Sequence, residues 1–143
     1  MVATKQDQII FLKGKEKALK TLFSEANFGY LALGYNDDNG FANETDNNTS
    51  NGFIEITEPT YKRVKLTPQS EVIEDEDTGK VTITLVADVD VDNIIDRTEV
   101  NQLAIVDSSS STDANTIFYC AATFPTFPKS EQTSLSFELD MQL

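Results

Sequence analysis

The chain has 143 residues, which is the size of one domain with a core that buries most of its apolar surface. Its 24 acidic residues against 11 basic ones give a net charge of −13, which disfavours nucleic acid and anionic membrane surfaces as partners, because both bind lysine and arginine. The absence of histidine and the single cysteine exclude an imidazole base, an intrachain disulfide and a zinc site built on histidines or several thiolates.

Residues 1–25 are predicted to form an N-terminal extension followed by the only helix. Apolar residues recur at helical spacing from about Lys15 to Glu25, whereas Gly14 interrupts the pattern. The apolar run 9–12 is therefore expected to be a separate extended piece. It is also too short to cross a bilayer, and we expect neither a signal peptide nor a membrane span.

The helical region carries most of the positive charge. Residues 1–20 contain five lysines and two acidic residues, whereas the remaining chain contains 6 basic and 22 acidic residues. A solvated helix face is one interpretation, and docking on an acidic surface of the same chain or of a neighbouring subunit is the other. The candidate assembly interface consists of Lys13, Lys15, Lys17 and Lys20.

Strands are predicted for most of the remaining chain. The predicted segments are residues 28–35, 61–67, 81–91, 100–107, 117–122 and 134–143. Apolar residues occupy every odd position of 81–91, which is typical of a half-buried strand. The run Leu103–Val106 is apolar throughout, which indicates a strand buried on both faces, paired with 117–122 as a central hairpin.

The segments between these strands contain turn-forming or strand-breaking residues. Residues 71–79 are predicted to be an acidic turn, and 124–128 a bend or crossover whose phenylalanines cap the core. Strands in which apolar and polar residues alternate, joined by short turns, favour antiparallel pairing. The sequence thus predicts a mainly β fold, an antiparallel sandwich of six to seven strands with one N-terminal helix, as a single domain over residues 1–143.

A long polar segment, residues 36–52, is predicted to be a surface loop. Asparagine, aspartate, threonine, serine and glycine occupy nearly every position, and loops of this length in a compact domain are often functional or disordered. Tyr35, Phe41 and Phe53 form a possible recognition surface for a host glycan or receptor. The alternative is that these rings anchor the loop to the core.

The acidic segment 88–99 matches the spacing of a twelve-position calcium loop, with Asn93 at the usual glycine position. The candidate ligands are Asp88, Asp90, Asp92 and Glu99. Strands rather than helices flank the segment, so a solvated acidic strand end is the alternative.

The sequence contains no recognisable signature of an enzyme. Nucleophile-elbow serines, phosphate-binding glycine loops and CxxC pairs are absent. Cys120 lies inside the apolar run 117–122 and is expected to be a buried thiol that packs as a small apolar residue. We therefore expect a non-enzymatic protein without a cofactor.

The order of short motifs resembles a family of small tailed-phage virion proteins from the tail fibre and associated tail structures. The matching segments are Gly14-Lys15, Tyr30-Leu31-Ala32-Leu33-Gly34, Tyr61-Lys62-Arg63-Val64, Leu103-Ala104-Ile105-Val106-Asp107 and the closing strand 134–143. Where the family often has Trp-Gly, this chain has residues 96–99 (Asp-Arg-Thr-Glu).

This resemblance implies a structural component of a bacteriophage virion, in the tail, the baseplate or the fibre-attachment region. Its expected partners are other virion proteins and further copies of itself in a ring or trimer, with neither nucleic acid nor membrane as a partner. Capsid decoration or head-fibre attachment is the alternative structural role, and a host-glycan or receptor-binding module is the alternative of a different class.

Overall fold

The computed structural model describes residues 9–38, 40, 41 and 52–143, which form one helix and seven strands in two antiparallel sheets. The elements are α1 (Leu12–Leu22), β1 (Tyr30–Gly34), β2 (Val64–Lys65), β3 (Thr67–Asp75), β4 (Lys80–Val89), β5 (Thr98–Val106), β6 (Phe118–Lys129) and β7 (Leu135–Gln142). One sheet has the strand order β2-β1-β5-β6 and the other β3-β4-β7. The predicted antiparallel sandwich with one helix is confirmed.

The core lies between the two sheets and is closed by the helix. The odd-numbered residues of β4, such as Ile83 and Leu85, are fully buried, as their alternation predicts. They share a single core cluster with Leu33 of β1, Ile105 of β5 and Leu19 of α1.

Strand β5 is buried on both faces, which confirms the interpretation of its uninterrupted apolar run. Leu103 and Ile105 belong to the core between the sheets. On the opposite face, Ala104 and Val106 pack in a second cluster beneath the fully buried ring of Phe53. This second cluster lies on the outside of the four-stranded sheet, so the segment that contains Phe53 forms a partial third layer.

Helix α1 begins earlier than the predicted start at Lys15. It runs from Leu12 to Leu22, includes Gly14, and follows the extended residue Phe11. The helix packs on β3 and β4 and buries Leu19. This burial offsets the low helix propensity of Gly14, at which the sequence pattern alone predicted an interruption of the helix.

Strand β3 occupies part of the segment that was predicted to be an acidic turn. Only the residues after Asp75 form the turn to β4. The chain passes from one sheet to the other at the buried Leu66, whose amide donates a hydrogen bond of 2.8 Å to the carbonyl of Gly29. An edge strand needs little apolar alternation, which explains why the sequence of β3 did not predict a strand.

The predicted hairpin of β5 and β6 is confirmed, but it lies at one side of its sheet because β6 is an edge strand. Residues 124–128 belong to β6 and are not a crossover. The register with β5 shifts between Val100 and Gln102, where β6 inserts extra residues including Pro125. An edge strand tolerates proline because one side of it needs no hydrogen-bond donor. Phe124 and Phe127 do pack against the core.

Two glycines provide a test of this architecture. A Cβ atom on Gly34 would lie 2.5 Å from the carbonyl oxygen of Ile54 and 2.9 Å from Oε1 of Gln102, so Gly34→Ala should lower the free energy of unfolding by about 1–3 kcal/mol. A Cβ atom on Gly14 meets nothing within 4 Å, so Gly14→Ala should raise it by about 1 kcal/mol. Urea unfolding measures both, and equal effects would contradict the packing of residues 52–54 over β1.

Candidate functional site

Three consecutive, highly exposed apolar residues precede the helix. Ile9, Ile10 and Phe11 are 78%, 66% and 76% exposed, and Phe11 has extended backbone angles. We call residues 9–11 the arm. Single exposed apolar side chains are ordinary, but three in succession are typical of a surface that contacts another molecule.

The helix lysines mainly contact the same chain. Lys15 donates to the carbonyl of Gly79 in the β3–β4 turn, and Lys13 lies 2.8 Å from a carboxylate oxygen of Glu74 on β3. Lys20 pairs with Glu16 one turn earlier at 2.9 Å. Lys13, Lys17 and Lys20 are all exposed, but Lys17 differs from the other candidate lysines because no hydrogen bond or ion pair of its side chain is seen within the described residues. Docking of the basic helix on its own acidic body is thus observed, and an interface with another subunit remains a prediction.

Glu16 lies at the centre of this charged cluster. Its hydrogen bond with Lys20, followed by that with Lys13, lowers the pKa of Glu16 from 4.5 to about 2. The contact with Glu74 and that with Glu16 raise the pKa of Lys13. The cluster therefore holds the start of α1, which directly follows the arm, against β3.

The ends of the segment 37–51 are held by buried amide side chains, which the sequence pattern did not indicate. Asn101 accepts a hydrogen bond of 3.0 Å from the amide of Asn36 and donates one of 2.8 Å to its carbonyl. Gln102 accepts one of 3.0 Å from the amide of Ile54 and donates one of 3.0 Å to the carbonyl of Gly52. Asn36 also donates to Gly52 at 2.9 Å, which joins the two ends. We call these three side chains the amide clamp.

The aromatic residues proposed for recognition have different surroundings from those expected. Phe53 is 1% exposed and packs against Phe118 with tilted rings, so it is a core residue and not the ligand contact that the sequence suggested. Phe41 packs against the same cluster, and Tyr35 packs partly against the main core while its hydroxyl donates to Asp37. These rings anchor the segment, which was the alternative interpretation. Residues 39 and 42–51 of the predicted loop lie outside the described residues.

The acidic segment 88–99 forms an exposed strand end and a turn. Asp88, Asp90 and Asp92 are exposed, and Asp88 accepts a hydrogen bond of 2.6 Å from Ser136. Glu99 is partly buried, 3.7 Å from Arg97. Over the described residues, no three acidic or cysteine side chains lie close enough together to hold a metal ion.

The turn after β4 also differs from a calcium loop in its backbone. The left-handed residue is Ile94 (φ 68°), not Asn93 as the motif requires. The side chain of Asn93 instead accepts a hydrogen bond of 3.0 Å from the amide of Lys62 and donates one of 2.9 Å to the carbonyl of the same residue. The buried ammonium of Lys129 donates to the carbonyls of Ser130 (2.9 Å) and Ile94 (3.5 Å), and burial lowers its pKa. The left-handed backbone of Ile94 is strained because the residue is β-branched, and such strain persists only where the surrounding structure fixes it.

A buried ion pair joins three segments beside β2. The guanidinium of Arg63, 2% exposed, makes two hydrogen bonds of 2.8 Å to Glu55. It also donates to the carbonyl of Ser108 at 3.0 Å and to the hydroxyl of Thr116 at 2.9 Å. The hydroxyl of Tyr61 donates to the same carboxylate, and burial raises the pKa of Tyr61. This pair fixes the β5–β6 loop and the segment before β2.

Cys120 is partly buried and packs against the main core, and burial raises the pKa of its thiol. No helix within the described residues is long and apolar enough to cross a membrane. Comparison of the chain with protein-family models, curated proteins and solved structures gives no match.

The charged cluster at α1 predicts a pH dependence. The depressed pKa of Glu16 means that its contribution to stability is complete above pH 4.5 and is lost as pH falls towards about 2. Glu16→Gln should therefore reduce the loss of stability across this range, as measured by urea unfolding at successive pH values. High salt should shrink the difference between the two proteins, because it screens exposed charges. If the wild-type protein and Glu16→Gln lose stability equally as pH falls, the lowered pKa of Glu16 is contradicted.

The buried pair predicts strong coupling. Arg63→Met should lower the free energy of unfolding by about 3–5 kcal/mol, because it leaves the carboxylate of Glu55 buried without its cation. Adding Glu55→Gln, which can still accept from Tyr61, should recover part of that loss. A double-mutant cycle by urea unfolding measures the coupling, and additive effects would contradict a direct interaction.

Proposed function

We propose that this protein is a structural component of a bacteriophage virion, located in the tail, the baseplate or the fibre-attachment region. It acts through contacts with other virion proteins and with further copies of itself in a ring or trimer. Capsid decoration or head-fibre attachment is the alternative position on the particle.

The observation that carries this proposal is the exposed arm, residues 9–11. Burial of three such side chains against a neighbour releases a few kcal/mol of free energy, which is enough to contribute to a specific contact. The neighbouring charged cluster holds α1 against β3, so the arm starts from a fixed position. A fixed starting point lowers the conformational entropy lost when the arm binds.

The motif order supports the virion assignment. In three of the resembling segments, most residues lie in strands, namely β1, β5 and β7. A fourth contains Tyr61 and Arg63, both of which belong to the buried ion-pair network. These segments therefore occupy the scaffold, where a virion subunit keeps its shape while its outer surfaces contact other chains.

The role of the arm is testable by a matched pair of variants. Ile10 and Ile73 are both 66% exposed, and Ile73 lies on the outer face of β3. Ile10→Asp should raise the dissociation constant of the assembled protein about a hundredfold, because it places a charge in an apolar contact. Ile73→Asp should leave it unchanged. Light scattering coupled to size exclusion measures the mass of the complexes.

A wild-type protein that remains a single chain at all concentrations would contradict self-assembly, and equal effects of the two variants would contradict the role of the arm. Electron microscopy of intact particles labelled with an antibody against this chain tests its position. Labelled tails support the proposal, and labelled capsids favour the alternative.

A further inference from the structure

The four sheet edges of the described chain differ in how well they can accept another strand. Strand β2 has only two residues, and β3 has a register shift between Pro68 and Val72. Strand β6 contains two prolines and two register shifts. Strand β7 pairs with β4 over eight residues without a shift. Short, irregular or proline-containing edges resist pairing, so β7 is the edge that remains open to an added strand.

The hydrogen-bonding direction of β7 follows from one residue pair. Val81 and Leu143 exchange both backbone hydrogen bonds, at 3.1 and 3.0 Å. Antiparallel ladders alternate between bonded and non-bonded pairs, so the odd-numbered residues of β7 bond to β4. The amide and carbonyl groups of Ser136, Glu138 and Asp140 therefore point away from β4, to the free edge.

We propose that the arm of one copy, residues 9–11, adds as a strand to the free edge of β7 in a second copy. This inference rests on the proposed assembly function and names the surface that receives the arm. The inward-facing side chains of β7 include Phe137 and Leu139, which are only partly buried and pack on the core. An added apolar strand would extend this inner face, while its backbone bonds the edge groups.

Charge favours the arm over a second β7 as the occupant of this edge. Glu138 and Asp140 are exposed on β7, so pairing two copies of the strand would bring like charges together. The arm itself is uncharged. Its addition to β7 therefore brings no like charges together, whereas like-charge repulsion disfavours the competing self-pairing.

The position of α1 favours the β7 edge of a second copy, rather than that of the same chain, as the acceptor of the arm. Lys13, at the start of α1, contacts Glu74 on β3. The strand order β3-β4-β7 places β7 at the opposite edge of that sheet. Each copy thus presents the arm at one edge and the acceptor at the other. Such a head-to-tail contact forms a closed ring where the rotation between neighbours permits it.

The acceptor edge can be blocked without breaking the β4–β7 ladder. Glu138→Pro removes an amide that faces the free edge, whereas Glu138→Thr removes the same carboxylate but keeps the amide. We expect Glu138→Pro to raise the dissociation constant about a hundredfold and Glu138→Thr to change it by less than about tenfold, as measured by light scattering. Equal effects of proline and threonine would overturn backbone pairing at this edge.

A mixing experiment shows whether the arm and the edge belong to one contact. Ile10→Asp cannot donate its arm, and Glu138→Pro cannot accept one, so each alone should be a single chain. Their mixture should form a complex of two chains and nothing larger, because one intact arm then meets one intact edge. This recovery also shows that both variants are folded.

Two outcomes separate this inference from the proposed function. If Ile10→Asp dissociates the assembly and Glu138→Pro does not, the arm binds elsewhere and only the inference fails. If the wild-type protein never associates, both fail. A mixture that stays monomeric while each folded variant is dissociated would also overturn the pairing of arm and edge.

Discussion

The burial of β5 on both faces is the constraint on which the rest of this structure depends. A two-layer sandwich covers only the inner face of each sheet, so the outer face of β5 needs a cover from another segment. Phe53 provides it, and Gly34 leaves space for the backbone of Ile54 to approach. Residues 52–54 do not belong to a strand, and Gln102 supplies hydrogen bonds to the backbone of Gly52 and Ile54 that a strand partner would otherwise make.

Opposite charges organise the other side of the molecule. The basic helix lies on the acidic three-stranded sheet, and its lysines bind a carboxylate of β3 and a carbonyl of the next turn. These exposed pairs are individually weak. Their effect is mainly geometric, because they set where α1 starts and therefore where the apolar residues before it leave the body.

The main elements were predictable where burial leaves a periodic signal. The alternation of β4 and the continuous apolar run of β5 follow directly from which faces are covered. Strand β3 and the extension of β6 were not predictable, because edge strands tolerate polar residues and prolines that sequence rules assign to turns. Residues at the ends of elements, such as Gly14 in α1, depend on tertiary packing that periodicity does not contain.

The candidate site was less predictable than the fold, because its geometry depends on long-range partners. The lysines of α1 were identifiable from charge, but their partners on β3 were not. Asn101 and Gln102 looked like ordinary polar residues at the start of an apolar run, although both are buried. The calcium motif had suitable spacing, but spacing along a chain does not determine how carboxylates are arranged in space.

The amide clamp has a consequence for sequence variation in this chain. Asn36 donates directly to Gly52, so the two ends of the intervening segment are already joined before any of its other residues are considered. The entropy of closing a loop between fixed ends grows only with the logarithm of its length. Insertions and deletions between these ends should therefore accumulate at little thermodynamic cost, which makes this segment the natural place for related chains to diverge while sharing one scaffold.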